Sequence, residues 1–172
     1  MYNTFSLTTC YRKGKSLYMK KFVYVLAVVL SVGLLWAADA FTGTWKLNPA
    51  KSKFPKGFET KEMTVVMAEQ GANMAVTAKG TGADGKAISV KYSFPMNGGP
   101  VKYTEGGPAP GTTVVNKRID ANTFESTIAI NGKNSRTTTA AVSKDGKTFT
   151  LTRKGADEKG NAIEGMEFYQ RQ

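Results

Sequence analysis

Phe41-Thr42-Gly43-Thr44-Trp45-Lys46-Leu47-Asn48 opens the part of the chain that can fold as a domain, and it starts where an export signal ends. Just before it lies an apolar block, Phe22 to Ala38, preceded by Arg12, Lys13, Lys15, Lys20 and Lys21 and closed by Ala38-Asp39-Ala40. A basic stretch, an apolar stretch and a small-x-small site, in that order, make a secretory signal peptide, with cleavage predicted after Ala40. Residues 1–40 are read as signal peptide, of which 1–18 form an upstream extension before the start-like Met19-Lys20-Lys21. Residues 41–172 are read as one domain, an ordinary size for a single core. The apolar block is only about as long as the shortest bilayer span, and polar, strand-like sequence follows at once. The predicted address is therefore the periplasm or the exterior of the cell, with no stable membrane anchor once the signal is cut.

The only cysteine, Cys10, precedes the apolar block. It cannot be the acylated residue that follows a lipoprotein signal, and the domain after it has neither disulfides nor thiolate metal sites. Five of the 24 basic residues and one of the 13 acidic ones lie before Phe41, which leaves a net charge of +7 on residues 41–172. The lysines are spread over every segment instead of gathered in a run, so they read as a solvated surface and not as a nucleic-acid footprint.

After Phe41 the chain alternates short patterned runs with turn signals. Gly71-Ala72, Asp84-Gly85, Asp120-Ala121-Asn122, Asn131-Gly132, Asp145-Gly146 and Gly160-Asn161 supply the positive φ that tight hairpins require. Between them the pattern predicts strands near 42–47, 61–69, 73–80, 87–94, 101–105, 112–119, 123–130, 134–142, 147–154 and 162–170. Ile88, Val90, Tyr92 and Phe94 alternate with Ser89, Lys91 and Ser93, one face for the core and one for water. Residues 63–68 are apolar at both parities, which predicts a strand covered on two sides or placed at a closing seam. Gly98-Gly99 and the run Gly106 to Gly111 read as loops, the rim of a pocket, because neither precedes a helix that could hold a phosphate.

The chain also repeats itself. A shift of 75 places Thr77-Ala78-Lys79-Gly80 on Thr152-Arg153-Lys154-Gly155 and Ala87-Ile88 on Ala162-Ile163. Duplication and convergence on one good hairpin both fit so short a match.

Neighbouring antiparallel strands joined by tight turns favour an up-and-down β-barrel of about 8–10 strands, an all-β fold that removes its own edges. Gly43-Thr44-Trp45 resembles the G-x-W opening of lipocalins and their calycin relatives. That resemblance implies a tryptophan packed across the barrel floor under a basic residue from late in the chain, and a barrel that carries a small apolar ligand. The longer run Gly43 to Phe54, with Asp84-Gly85-Lys86, Ser143 to Thr148 and Tyr169-Gln170, is similar to a family of exported bacterial lipocalin-like proteins of unknown function. The chain departs from true lipocalins in having no disulfide and no C-terminal helix.

Histidine is absent, which removes imidazole bases, Ser-His-acid triads and most zinc sites. No catalytic constellation, metal or cofactor is called for. Most acids read as turn or outward positions, and Glu164 and Glu167 fall on opposite faces of one strand. An enzyme would have to use a Tyr, Arg or carboxylate that parity does not reveal.

A binding role has more to work with. Trp45, Met74, Val76, Tyr92, Phe94, Tyr103, Phe124, Ile128, Phe149 and Leu151 read inward and are rich in aromatics. Met63, Met67, Met96 and Met166 add adaptable apolar surface. Tyr92 and Tyr103 can hydrogen-bond the polar end of a small hydrophobic ligand. Arg118, Arg136, Arg153 and Arg171 are the candidates to cap the barrel or meet a ligand anion, with Arg171 the chosen partner for Trp45 and Arg118 its rival. The competing readings are a barrel filled by these same side chains, acting through its outer surface as an envelope or inhibitor module, and the enzyme.

Overall fold

The computed structural model describes residues 38–157 and 159–172. The signal peptide expected over 1–40 lies outside them, apart from Ala38, Asp39 and Ala40, which belong to the folded unit Ala38–Gln172. The strands are β1 (Gly43–Leu47), β2 (Thr60–Gln70), β3 (Asn73–Gly82), β4 (Ala87–Pro95), β5 (Gly98–Pro100), β6 (Lys102–Glu105), β7 (Thr112–Asp120), β8 (Thr123–Ile130), β9 (Lys133–Val142), β10 (Thr148–Ala156) and β11 (Ala162–Arg171). A single 3-10 turn, Pro49–Lys51, follows β1.

All pairings are antiparallel, and nearly all join neighbours in sequence, as tight hairpins dictate. The last strand returns to the first, with Trp45 opposite Arg171 and Leu47 opposite Tyr169. The remaining edges are joined by one bent stretch. Its first half, β5, pairs with β7, its second half, β6, pairs with β4, and the Val101 N–H between them donates to the Val114 carbonyl at 2.9 Å. The result is an up-and-down barrel whose seam is a strand shared between two neighbours.

That seam corrects two expectations. Gly98-Gly99 is strand, not loop, because both glycines take positive φ while still pairing with Asn116 and Lys117. The doubly apolar stretch of β2 lies between β1 and β3, away from the seam, and its outer face is open: Val66 is 43% exposed. The apolar parity there reflects β-propensity on a wet face, not a second covering layer.

The repeat of 75 falls on equivalent places. Gly80 pairs with Ile88 and Gly155 with Ile163, each in a hairpin near one end of the barrel. At both glycines a Cβ would run into the neighbouring strand's backbone, Glu62 in one case and Ser135 and Arg136 in the other. A strand can bend this closely over its neighbour only without a side chain, so the repeated sequence encodes a repeated bend.

One end of the barrel is a packed floor. Trp45 is fully buried, its indole N–H donates to the Phe41 carbonyl at 2.8 Å, and the Arg171 guanidinium lies 4.1 Å from its ring centre. Arg171 is held there by the carbonyls of Thr42, Ala40 and Gly146. Gly43 is what lets it pass: a Cβ there would occupy the place of the guanidinium, at a φ of +138°. The G-x-W spacing thus has a physical cause in the arginine from the far end of the chain. Phe41, Phe94, Phe124 and Phe149 meet edge to face beside the indole.

Arg118 fastens the same end from the other side. Its Nη1 donates to Asp39 Oδ2 at 2.7 Å, its Nε and Nη2 to the carbonyls of Asp120 and Ala121, and its plane lies 4.5 Å from the Phe124 ring centre. Asp39 also accepts the Phe41 N–H. Two residues assigned to the end of the signal, Asp39 and Ala40, therefore contribute polar atoms to the floor.

Candidate functional site

Above the floor the barrel is not filled. A cavity of about 290 Å³ runs up its inside, with Phe94, Phe124, Phe149, Val76 and Met67 at its inner end. Its walls alternate strand by strand, since only every second residue points inward. At the other end stand Val90, Tyr103, Pro108, Thr112, Arg136 and Arg153. Pro108 belongs to the glycine-rich loop, which folds back so tightly that Gly106 leaves no room for a Cβ against Ser89. The loop does form a rim, as its sequence predicted.

Eight of the ten residues read as lining do border this cavity: Val76, Tyr92, Phe94, Tyr103, Phe124, Ile128, Phe149 and Leu151. The other two, Trp45 and Met74, are buried in the floor beneath it. Of the arginines, Arg136 and Arg153 border the cavity, whereas Arg118 and Arg171 are committed to the floor. Met63 and Met67 line it, Met96 packs against the core, and Met166 stands at the outward parity of β11, where its backbone bridges to Lys53.

Sequence parity missed the polar centre of the site. Glu167 points inward between Gly165 and Tyr169 and is 6% exposed. Its Oε1 accepts from Arg153 Nε at 2.9 Å and Nη2 at 2.7 Å, and its Oε2 accepts the Tyr169 hydroxyl at 2.7 Å. Nearby, the Ser126 hydroxyl donates to Asn116 Oδ1 at 2.7 Å. Burial pushes the phenols of Tyr92 and Tyr169 far above their ordinary value, and the Glu167 carboxylate adds to the shift at Tyr169. Tyr103 is shifted upward for the same first reason. The signal that would have found Glu167 is its register: Ile163, Gly165, Glu167 and Tyr169 share one parity, and Tyr169 is an evident core residue.

All tyrosines of residues 38–172, Tyr92, Tyr103 and Tyr169, line the cavity. Tyr92 and Tyr103 pack with ring centres 5.3 Å apart. Among the described residues their hydroxyls have no hydrogen-bond partner, and neither has the buried Thr138 hydroxyl on the β9 wall. Phe58, from the segment between the 3-10 turn and β2, lies beside the two lining arginines, with Arg136 at 5.6 Å and Arg153 at 5.3 Å from its ring centre. Among the described residues no group of three or more His, Cys, Asp or Glu side chains is placed to hold a metal ion.

No protein-family model matches the chain, and no curated protein does. Solved structures similar to it include a redesigned beta barrel, mFAP1, bound to DFHBI, at 13% identity and a TM-score of 0.40, covering 79% of this chain and 98% of that one. EF1p2_mFAP2b bound to DFHBI is 15% identical with a TM-score of 0.44, covering 79% and 97%. Lobster apocrustacyanin A1 is 11% identical with a TM-score of 0.41, covering 79% and 63%. At such scores the assignment of a barrel stands on the strand pairing of this chain itself.

Proposed function

We propose that this protein is an exported, lipocalin-like binding protein that takes one small, largely apolar molecule into its barrel. The observation that carries the reading is the cavity of about 290 Å³, aromatic and aliphatic at its inner end and ringed by tyrosines and a buried ion pair further up. Pockets that bind small molecules have this composition: mostly apolar walls with a few placed polar groups. The reading of a filled core acting only through its surface loses ground to the same cavity.

The enzyme reading asked for an inward carboxylate, and Glu167 is one. Three hydrogen bonds from Arg153 and Tyr169 already fill most of its acceptor sites, which leaves little of the carboxylate to present to a substrate proton in the way a general base requires. We propose binding without catalysis.

Native mass spectrometry of protein drawn from its own host, with displacement of an environment-sensitive dye by extracts of that host, tests the binding. A co-purifying mass of a small molecule and one-to-one displacement are the expected results. An empty protein that takes up no dye would contradict the reading. Intact mass and cell fractionation test export: a form lacking the segment up to Ala40, found outside the cytoplasm, is expected, and a full-length cytoplasmic product contradicts it.

A further inference from the structure

Resting on the binding reading above, we propose that Glu167 fixes the charge class of the ligand: the barrel takes a neutral aromatic molecule and rejects its anionic counterpart.

Donors and acceptors in the inner cavity are unevenly supplied. Glu167 is the one carboxylate among the lining residues, and its two oxygens already accept three hydrogen bonds from Arg153 and Tyr169. Arg153 spends Nε and Nη2 on a single carboxylate oxygen, so its Nη1 hydrogens remain available as donors. The Tyr92, Tyr103 and Thr138 hydroxyls are also unpaired among the described residues. A ligand entering this space finds several hydrogens to accept and a carboxylate most of whose acceptor sites are filled. The hydroxyls can donate or accept, but Arg153 can only donate, so a ligand group that meets Arg153 is an acceptor such as a carbonyl, ether or nitrile oxygen or nitrogen.

The charge of that acceptor follows from the ion pair. An anion stripped of water is costly unless a cation compensates it. Arg153 is the lining cation whose charge acts on Tyr92 and Tyr169, and it is already neutralised by Glu167 at 2.7 Å in a site where its side chain is 21% and the carboxylate 8% exposed. Arg136 borders the same cavity beside Tyr103, and both arginines lie over the Phe58 ring. An anion at the level of Tyr92 and Tyr169 would have to share Arg153 with Glu167, and like charges at such range repel strongly where water is excluded. A neutral acceptor uses the leftover Arg153 and tyrosine hydrogens without that conflict. The aromatic partner is set by the rings of Phe94, Phe124, Phe149, Tyr92 and Tyr103, which offer edges and faces to a flat molecule.

The test uses two dyes that share one ring system: neutral N-phenylnaphthylamine and its sulfonated analogue, anilinonaphthalenesulfonate. Their dissociation constants are measured for the full domain, for Glu167→Gln, for Arg153→Gln and for the double variant. The wild type is expected to bind the neutral dye about tenfold or more tightly than the sulfonate. Glu167→Gln, which frees Arg153, is expected to reverse that preference by tightening the sulfonate. Arg153→Gln, which exposes the carboxylate, should weaken the sulfonate further, and the double variant should return to the neutral preference. A general loss of folding would weaken both dyes together and cannot produce opposite shifts in the two single variants. A wild type that prefers the sulfonate, or a ratio unmoved by Glu167→Gln, overturns the inference while leaving the binding reading intact. Failure of a folded wild type to bind either dye overturns the binding reading itself.

Discussion

The two halves of the barrel spend the same alternating strands differently. At the floor, inward positions carry Phe41, Trp45, Met74, Phe124 and Phe149, and the arginines there, Arg118 and Arg171, are pinned by backbone carbonyls or by Asp39. Higher up, the same parity carries Tyr92, Asn116, Ser126, Arg153, Glu167 and Tyr169 around open space. All four arginines of the domain lie over an aromatic ring in both halves. What distinguishes the halves is whether the space between rings is filled, and that assigns stability to one end and recognition to the other.

The contrast is broken most directly at the indole. Trp45→Ala removes the largest fully buried side chain of the floor, and chemical denaturation should show a loss of about 3–5 kcal/mol. A loss below about 1 kcal/mol would mean that the floor is not where the barrel is held.

Alkali probes the upper half. Tyr92 and Tyr169 hold their protons in the folded barrel far above the ordinary value near 10, because burial disfavours the phenolate. Below that value both folded and unfolded chains are protonated and the stability is fully present. As pH rises beyond it the unfolded chain loses protons first, so stability falls by about 1.4 kcal/mol per pH unit for each tyrosine held protonated. Denaturation midpoints should drop above about pH 10, and Tyr92→Phe should flatten the slope. Tyrosinate absorbance of residues 38–172, which appears only on unfolding, is the direct readout. Early titration of all three tyrosines would contradict the burial.

In protein that retains Asp39, Arg118→Met leaves the Asp39 carboxylate, whose side chain is 7% exposed, without its partner at the floor. A loss of about 2–3 kcal/mol is expected, below the full figure for a deeply buried pair because Arg118 is partly wet. Dye affinity should be unchanged, since Arg118 does not border the cavity. A selective loss of dye binding at full stability would merge the two halves into one site.

The smallest effect belongs to the outer face. Lys91 and Glu105 are paired at 2.6 Å across β4 and β6, both about half exposed. Lys91→Met should shift stability by no more than about 0.5 kcal/mol, measured by the same denaturation. A larger shift would show that the seam between β4 and β6 depends on that pair.

Much of this contrast was readable beforehand for a specific reason. Where alternation is clean, as in Ile88 to Phe94, apolar residues name the inner face and the hairpin signals name the neighbours. Trp45 and Arg171 could be matched because a motif at one end of the chain demanded a cation from the other. The rest was hidden by chemistry that parity alone does not weigh. Glu167 is charged, and a charged residue reads as outward unless its partner, Arg153 on the adjacent strand, is known to be in register with it. Gly98-Gly99 read as loop because glycine carries no side chain to show a period. Phe41, Asp39 and Phe58 lie outside the strands, where pattern is silent and only the closed barrel brings them to its two ends.

The central claim is that the space among the tyrosines is a binding site and not a packing defect. Ala78 faces that space from β3, between Val65 of β2 and Val90 of β4, so a bulky ring placed there would fill it without disturbing the floor. Titration of wild type and Ala78→Trp with N-phenylnaphthylamine, with denaturation midpoints measured alongside, decides the matter. One-to-one binding by the wild type, lost in an Ala78→Trp protein of undiminished stability, is the predicted result; equal binding by both would place the dye outside the barrel and contradict the account.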